Sequence, residues 1–354
     1  MWLSPFSVAL NSPLGTAAGE ITDRQGLLVG CSVDGQQGIG EATPLAGWTE
    51  SYEDCHRTLE SIASNDERDG VPELPDPTRR PAAAHAVDLA RCDARARRES
   101  QPLAALLRHQ AEIRGTVPDS VPLNATIGDG DIEATVSAAT TAIENGYQWL
   151  KLKVGSRTIG SDIERVRAVA SGVGERARIR LDANGAWTRA QATRVLKGIA
   201  DYDIEYLEQP LAADKLDGLA ALRGRGTDIA VDESLATHSL TEIIEARTAD
   251  VVVIKPMAVG GPTRAVQLAV RAREAGLTPV VTTTIDAVIA RTAAVHVAAA
   301  IPDVTACGLA TGSLLESDLA EDPVDISEGR ATVPPDDGLC GDGFDTLWDG
   351  DSSE

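Results

Sequence analysis

Hydrophobic and polar positions fall into two textures along this chain. In the first ~115 residues, apolar runs at 2–9 and 26–33 predict two strands, divided by a polar, glycine-containing stretch at 11–23. A glycine-rich run, GQQGIGEATPLAGW, follows; no strand–helix–strand unit surrounds it, so its GxxGxG spacing is not a dinucleotide fingerprint. Three helical stretches come next, near 50–64, 80–99 and 102–110. The first two are joined by NDERDGVPELPDPTRR, whose proline and charge predict an exposed loop. Residues 1–115 therefore read as an α+β unit.

From about Val121 short apolar runs, each ending in polar residues, alternate with amphipathic or alanine-rich helical stretches. The runs are 122–128, 149–155, 178–185, 204–210, 228–234, 250–256, 278–285 and 305–312, and they predict eight strands. Polar residues close six of them, at Lys153, Asp182, Glu208, Asp232, Lys255 and Thr284, with intervals of 29, 26, 24, 23 and 29 residues. A strand plus a crossover helix needs about that length. The expected fold is α/β, a (β/α)₈ TIM barrel over residues 116–319. A doubly wound sheet is the alternative, but it usually has fewer strands and a glycine-rich phosphate turn after its first. The acidic, irregular stretch after Gly312 is expected to return to the first unit, so that about 320–354 complete it, with a frayed tail at 349–354.

Composition narrows the function. The hydrophobic fraction of 43% excludes wholesale disorder. A net charge of -22 repels phosphates, so no nucleic-acid or anionic-membrane partner is expected. No stretch approaches the ~18 consecutive apolar residues of a membrane span, and MWLSPFSVAL lacks a secretory signal's regions, which makes a cytoplasmic location the expectation. The five cysteines form no CxxC pair and read as buried small hydrophobes. The 54 acids comprise 31 Asp and 23 Glu, and the 32 bases comprise 27 Arg and only five Lys. Codon bias of a GC-rich genome accounts for arginine but not for the excess of aspartate, so a haloadapted surface is the preferred reading.

In such a barrel the active site forms where the strands end. Asp182, Glu208 and Asp232 close three successive strands and should line one arc of the mouth. Three converging carboxylates repel unless a cation binds, and hard oxygen ligands suit Mg²⁺, with Mn²⁺ as a substitute. Each acid alone would read as a solvated surface charge; three at matching strand ends do not. Lys151 and Lys153 lie two apart, hence on one strand face, where neighbouring ammonium groups should depress each other's pKa and allow one to act as a general base. Lys255 ends a strand on the other side of the acids. Alternation also aligns Arg180 and Asn184 with Asp182; Arg180 either orients a ligand acid, contacts substrate, or forms a buried structural ion pair. Glu233 should point the other way, behind the ligands. None of the five histidines, at 56, 85, 109, 238 and 296, suits catalysis, and no GxSxG or P-loop is present. A metal flanked by lysines implies removal of a proton from carbon next to a carboxylate, with the enediolate stabilised by the cation.

The motifs KLK at 151–153, DAN at 182–184, EQP at 208–210, DES at 232–234 and IKP at 254–256 together resemble the enolase superfamily. Within it they are similar to the muconate-lactonizing subgroup. The resemblance implies that the first unit caps the barrel, with a mobile loop at 12–20 and GEATPLAGWTES as a second piece of the cap. It also implies a small-molecule carboxylate substrate, and a homo-oligomer is compatible with it. The subgroup includes o-succinylbenzoate synthases, muconate cycloisomerases, dipeptide epimerases and N-acylamino acid racemases, which share their catalytic residues. Dipeptide epimerases usually carry an acidic motif at the eighth strand, and here no acid precedes Glu316. The Gly-Leu-x-Thr-Gly-Ser run there, and PLAGWTES, resemble o-succinylbenzoate synthases of the menaquinone pathway, although Ala310 stands where that run has Asp. The resemblance then implies dehydration of 2-succinyl-6-hydroxy-2,4-cyclohexadiene-1-carboxylate to 2-succinylbenzoate. Lys153 would be the base and then the acid, and Lys255 would stabilise the enediolate by charge and cation–π contact. The succinyl arm would meet Thr283, Thr284, Gly308 and Gly312. A racemase, epimerase or cycloisomerase on the same site is the alternative, and a non-catalytic metal-binding barrel is the remote one.

Overall fold

The computed structural model describes residues 1–16, 19–65 and 71–348. Its N-terminal sheet runs β1 (Trp2–Thr16), β2 (Gly19–Val33) and β3 (Gln36–Ala42), paired antiparallel in that order. The polar stretch expected to divide two strands instead continues them as a long hairpin, with a register shift between Ala9 and Leu14. Ala17 and Ala18, within the expected cap loop, lie outside the described residues, as do 66–70 of the linker and the tail at 349–354.

The glycine-rich run, not read as a strand, forms β3. Its glycines serve packing: a Cβ on Gly38 would lie 2.2 Å from Ala94 N, and one on Gly40 2.0 Å from Ala86 O. Both contacts are with helix α2 (Pro81–Arg98), so β3 lies directly against that helix backbone. Helices α1 (Tyr52–Asn65) and α3 (Leu103–Gln110) flank it, close to the predicted spans.

Strand β4 (Ser120–Pro122) leads into seven parallel strands: β5 (Ala125–Ile127), β6 (Trp149–Lys153), β7 (Arg178–Asp182), β8 (Ile204–Glu208), β9 (Asp228–Val231), β10 (Val251–Ile254) and β11 (Thr278–Val281). Each neighbours the next in chain order. The helices between them are α4 (Ile132–Glu144), α5 (Ile159–Val173), α6 (Arg189–Gly198), α7 (Leu216–Ala220), α8 (Glu233–Thr237), α9 (Leu240–Glu245), α10 (Pro256–Val259) and α11 (Pro262–Glu274); α12 (Val288–Ala300) follows β11. The expected eighth strand is reduced to single bridges, Leu123 with Cys307 and Thr282 with Gly308. Cys307 N–H donates to Pro122 O at 2.9 Å and Gly308 N–H to Val281 O at 2.9 Å, so this segment joins the first barrel strand to the last. The fold is thus a TIM-type barrel with a short seam.

Local sequence explains several helix starts. Thr188 with Gln191 and Ser239 with Glu242 form capping boxes on α6 and α9, and Asp131 and Thr158 cap α4 and α5. Helices α11 and α12 have no side-chain cap at their own N-cap residues. The N-terminal part supplies them. Asp88 accepts Thr263 N–H at 3.0 Å, and Glu41 accepts Ala287 N–H at 2.9 Å and Ala290 N–H at 2.8 Å.

The short strands β12 (Ile326–Ser327) and β13 (Arg330–Thr332) pair back to β4. Beyond them Leu339 N–H donates to Asp93, and the Trp348 ring meets Trp2 edge-on at 5.5 Å. The five cysteines are buried, as expected. Among the described residues no helix is long and apolar enough to cross a membrane.

Candidate active site

Strand β6 shows how the site arises. Leu150 and Leu152 are fully buried toward the helices, while the alternate Trp149, Lys151 and Lys153 are half-buried on the other face. The parallel register sets Lys153 beside Asp182 and Asp182 beside Glu208, at one level of the barrel. Asp232 follows β9 and Lys255 follows β10. Five of the six predicted strand-end residues, Lys153, Asp182, Glu208, Asp232 and Lys255, therefore stand at the same end of the sheet.

Their contacts are short. Lys151 Nζ lies 2.7 Å from Glu208 Oε1 and 3.0 Å from Asp182 Oδ2. Lys153 Nζ donates to Asp182 Oδ2 at 2.7 Å and to Asn184 Oδ1 at 2.9 Å. Lys255 Nζ donates to Asp232 Oδ2 at 2.7 Å. The three lysines differ in access: side-chain exposure is 38% for Lys153, 14% for Lys151 and 11% for Lys255.

Electrostatics corrects one expectation. Burial works against the Lys151 ammonium, but Asp182 and Glu208 outweigh it and raise its pKa well above the ordinary value. Mutual depression by its neighbour is thus not what governs Lys151. Burial also opposes ionisation of Asp182, yet Lys151 and Lys153 hold its carboxyl well below the usual range. Glu208 is raised to about 7 by burial and by the Asp182 charge, and Asp232 to about 6 by burial with Glu233 adding to it.

Among the described residues no three His, Cys, Asp or Glu side chains gather by themselves as a metal-ligand set. Ammonium groups stand between the carboxylates. Even so, Glu208 Oε2, Asp232 Oδ1 and Glu233 Oε2 are buried with no hydrogen-bond donor. Buried acceptors without donors are costly. Two of these oxygens, on Glu208 and Asp232, belong to the expected ligand set, and hard carboxylate oxygens without donors fit a cation such as Mg²⁺.

Surrounding residues hold this set. Asn184, in the left-handed region at φ +44°, donates Nδ2 to Glu233 Oε1 at 3.0 Å, so Glu233 is joined to Lys153 through Asn184. Sequence reasoning gave no role to Gln209 beyond its place in EQP. Buried at φ +37°, it accepts the N–H groups of Asp232 (3.0 Å) and Ser234 (3.1 Å) and fixes the end of β9. A buried amide directly after a strand-end acid was the available signal.

Trp48 was also missed as a site residue. Its ring centroid lies 3.2 Å from Lys255 Nζ, so the cation–π contact expected with substrate is made by the protein itself.

Other expected residues stand elsewhere. Arg180 is fully buried and hydrogen-bonds Glu205, Asn124, the Ala306 carbonyl at 2.6 Å and Thr305 at 2.9 Å, over the Tyr206 ring. Of its possible roles the structural ion pair holds: it fastens the seam segment, which has few ladder hydrogen bonds. Gly308 has its N–H bonded to Val281 and its carbonyl to Thr282, so neither is free for a succinyl arm. Thr284 gives its hydroxyl to Asp286. Gly312 lies over the Arg291 guanidinium, which a Cβ there would approach to 3.0 Å. Thr283 pairs with Thr311, hydroxyl to hydroxyl, at 2.9 Å.

Residues 134–342 match the family described as Enolase C-terminal domain-like. The chain is 37% identical over 231 residues to an o-succinylbenzoate synthase of Thermobifida fusca (strain YX), covering 60% of this chain and 70% of that one. It is 33% identical over 222 residues to N-succinyl-L-Arg/Lys racemase of Bacillus cereus, covering 62% of this chain and 58% of the relative. Its structure matches that of a dipeptide epimerase from Enterococcus faecalis V583, complexed with Mg and L-Leu-L-Tyr, with a TM-score of 0.83 at 28% identity over 96% of this chain and 97% of that one.

Proposed function

Since the chain belongs to the Enolase C-terminal domain-like family, we propose that it is a Mg²⁺-dependent dehydratase that forms 2-succinylbenzoate from 2-succinyl-6-hydroxy-2,4-cyclohexadiene-1-carboxylate. The observation that carries this reading is the inequality of the two flanking lysines. Lys153 is 38% exposed and reaches the mouth, whereas Lys255 is 11% exposed, paired with Asp232 and covered by Trp48. One accessible amine and one enclosed cation suit a reaction that takes a proton from one face. The identity to the Thermobifida fusca synthase supports the same choice. So does the sequence of the expected eighth strand from Thr305, where no acid precedes Glu316 to hold a substrate ammonium.

The residues then act as follows. Lys153 Nζ, as the neutral amine, takes the proton from the ring carbon that bears the carboxylate. The electron pair left behind delocalises into that carboxylate. Lys255 faces the developing negative charge with a fixed positive one. Lys153, now an ammonium, returns its proton to the departing hydroxyl, so that water leaves and the ring becomes aromatic. Asn184 holds Lys153 in line, and Glu233 holds Asn184. Asp182, Glu208 and Asp232 would hold Mg²⁺, which when bound supplies Lewis-acid stabilisation of the carboxylate charge.

The test is direct: the purified protein with Mg²⁺ should aromatise the cyclohexadiene, seen as a rise in ultraviolet absorbance. A second reading, N-acylamino acid racemisation on the same site, is favoured by the identity to the Bacillus cereus racemase. There Lys255→Arg should abolish racemisation in both directions while leaving α-proton exchange of one enantiomer through Lys153; in the dehydratase it should slow the single direction. No aromatisation together with α-proton exchange on N-succinylamino acids would replace the first reading by the second.

A further inference from the structure

Trp48 belongs to none of the barrel motifs, yet it touches the chemistry. Its indole faces the Lys255 ammonium at 3.2 Å from the ring centroid, while the same Nζ donates to Asp232 Oδ2 at 2.7 Å. The turn that delivers the indole is tightly specified. Trp48 and Thr49 N–H both donate to Leu45 O at 3.0 Å, and Thr49 Oγ1 accepts Leu45 N–H at 2.9 Å. Gly47 sits at φ +88°, which glycine adopts without strain. Glu50, which follows Thr49, is anchored by the N–H groups of Ala82 and Ala83 at 3.0 and 2.9 Å, at the start of α2. A rigid turn on the N-terminal unit therefore reaches across to the residue that ends a barrel strand.

We propose that Trp48 is a positioning residue: the N-terminal unit uses its indole to clamp the Lys255 ammonium against Asp232, making Lys255 an immobile cation on the side of the substrate opposite Lys153. This rests on the reading above, in which Lys255 stabilises charge. A lysine ammonium rides on a flexible four-carbon stem and samples many positions unless held. A carboxylate alone leaves it free to swing about one contact. An aromatic face on the other side removes that freedom. A charge fixed in place before the reaction stabilises the transition state without reorganisation. The clamp should therefore act on kcat and leave substrate affinity alone.

The test compares wild type, Trp48→Leu and Trp48→Phe with the cyclohexadiene substrate and saturating Mg²⁺. Trp48→Leu is expected to lower kcat roughly 3- to 30-fold with KM within about twofold, and Trp48→Phe, which keeps a ring, should recover most of that loss. An unchanged kcat, a loss confined to KM, or equal losses in Leu and Phe variants would overturn the clamp. A second readout needs no turnover. The fluorescence difference between wild type and Trp48→Phe isolates Trp48 from Trp2, Trp149, Trp187 and Trp348. It should change when Lys255→Met removes the ammonium, and constancy would overturn the contact. Wild type that fails to aromatise the substrate overturns the dehydratase reading, and the fluorescence arm then still decides the clamp.

Discussion

Glu41 accepts the Ala290 N–H at 2.8 Å, so a carboxylate of the N-terminal sheet terminates a helix behind the last strand of the barrel. The contact is fully buried, with Thr43 donating to the same carboxylate and Arg24 nearby, bonded to the carbonyls of Thr43 and Ile285. Burial and the neighbouring Asp286 charge raise Glu41 from 4.5 to about 7.

That shift predicts a pH dependence of stability. The folded pKa exceeds the unfolded one, so folding takes up a proton between pH 4.5 and about 7. The stability contributed by Glu41 is present below that window and is lost as pH rises through 7. Glu41→Gln should flatten the decline by on the order of 3 kcal/mol, read from urea unfolding at about pH 5 and pH 8. Parallel pH profiles for the two proteins would show that Glu41 does not titrate in this range.

Lys153→Ala should reduce aromatisation by at least ~10³-fold, because no other lysine reaches the open mouth. Mg²⁺ binding should persist, since the three carboxylates remain; calorimetric titration checks it. Substantial turnover in this variant would sink the assignment of the base.

Chelation should abolish turnover, and either Mg²⁺ or Mn²⁺ should restore it. Mg²⁺ at ~100 times its dissociation constant should also stabilise the fold by about 2.7 kcal/mol. Asp232→Asn should lose most of that gain. A melting temperature indifferent to Mg²⁺ in the wild type would remove the cation from Asp182, Glu208 and Asp232.

Arg180→Met should act on the barrel rather than the reaction. It leaves Glu205 without its buried partner and frees the Thr305–Ala306 segment, costing roughly 3 kcal/mol in denaturant unfolding. The folded fraction should keep kcat within about tenfold of wild type. A severe loss of kcat at unchanged stability would return Arg180 to the active site.

The barrel and its polar strand ends were legible because each lies within a local pattern. Apolar runs end in Lys153, Asp182, Glu208, Asp232 and Lys255 at near-constant spacing, and a parallel register turns that spacing into proximity. What was illegible depends on contacts distant in sequence. Strand β3 is masked by Gly38 and Gly40, present because α2 needs their missing side chains. Glu41 and Asp88 carry no mark of capping helices that begin far along the chain. Trp48 lies on a turn with no period, and only the fold shows that its ring meets Lys255. The lysine pair misled because alternation reveals which charges share a face but not whether the opposite charges lie closer.

The distribution of lysine also has a practical side. Lys197 and Lys215 are exposed, Lys153 is partly so, and Lys151 and Lys255 are enclosed. An amine-acylating reagent therefore meets two surface lysines and then the barrel mouth. Protection of Lys153 by a bound ligand would stand out in a peptide map against almost no lysine background, which makes ordinary covalent labelling a reporter of occupancy in this chain.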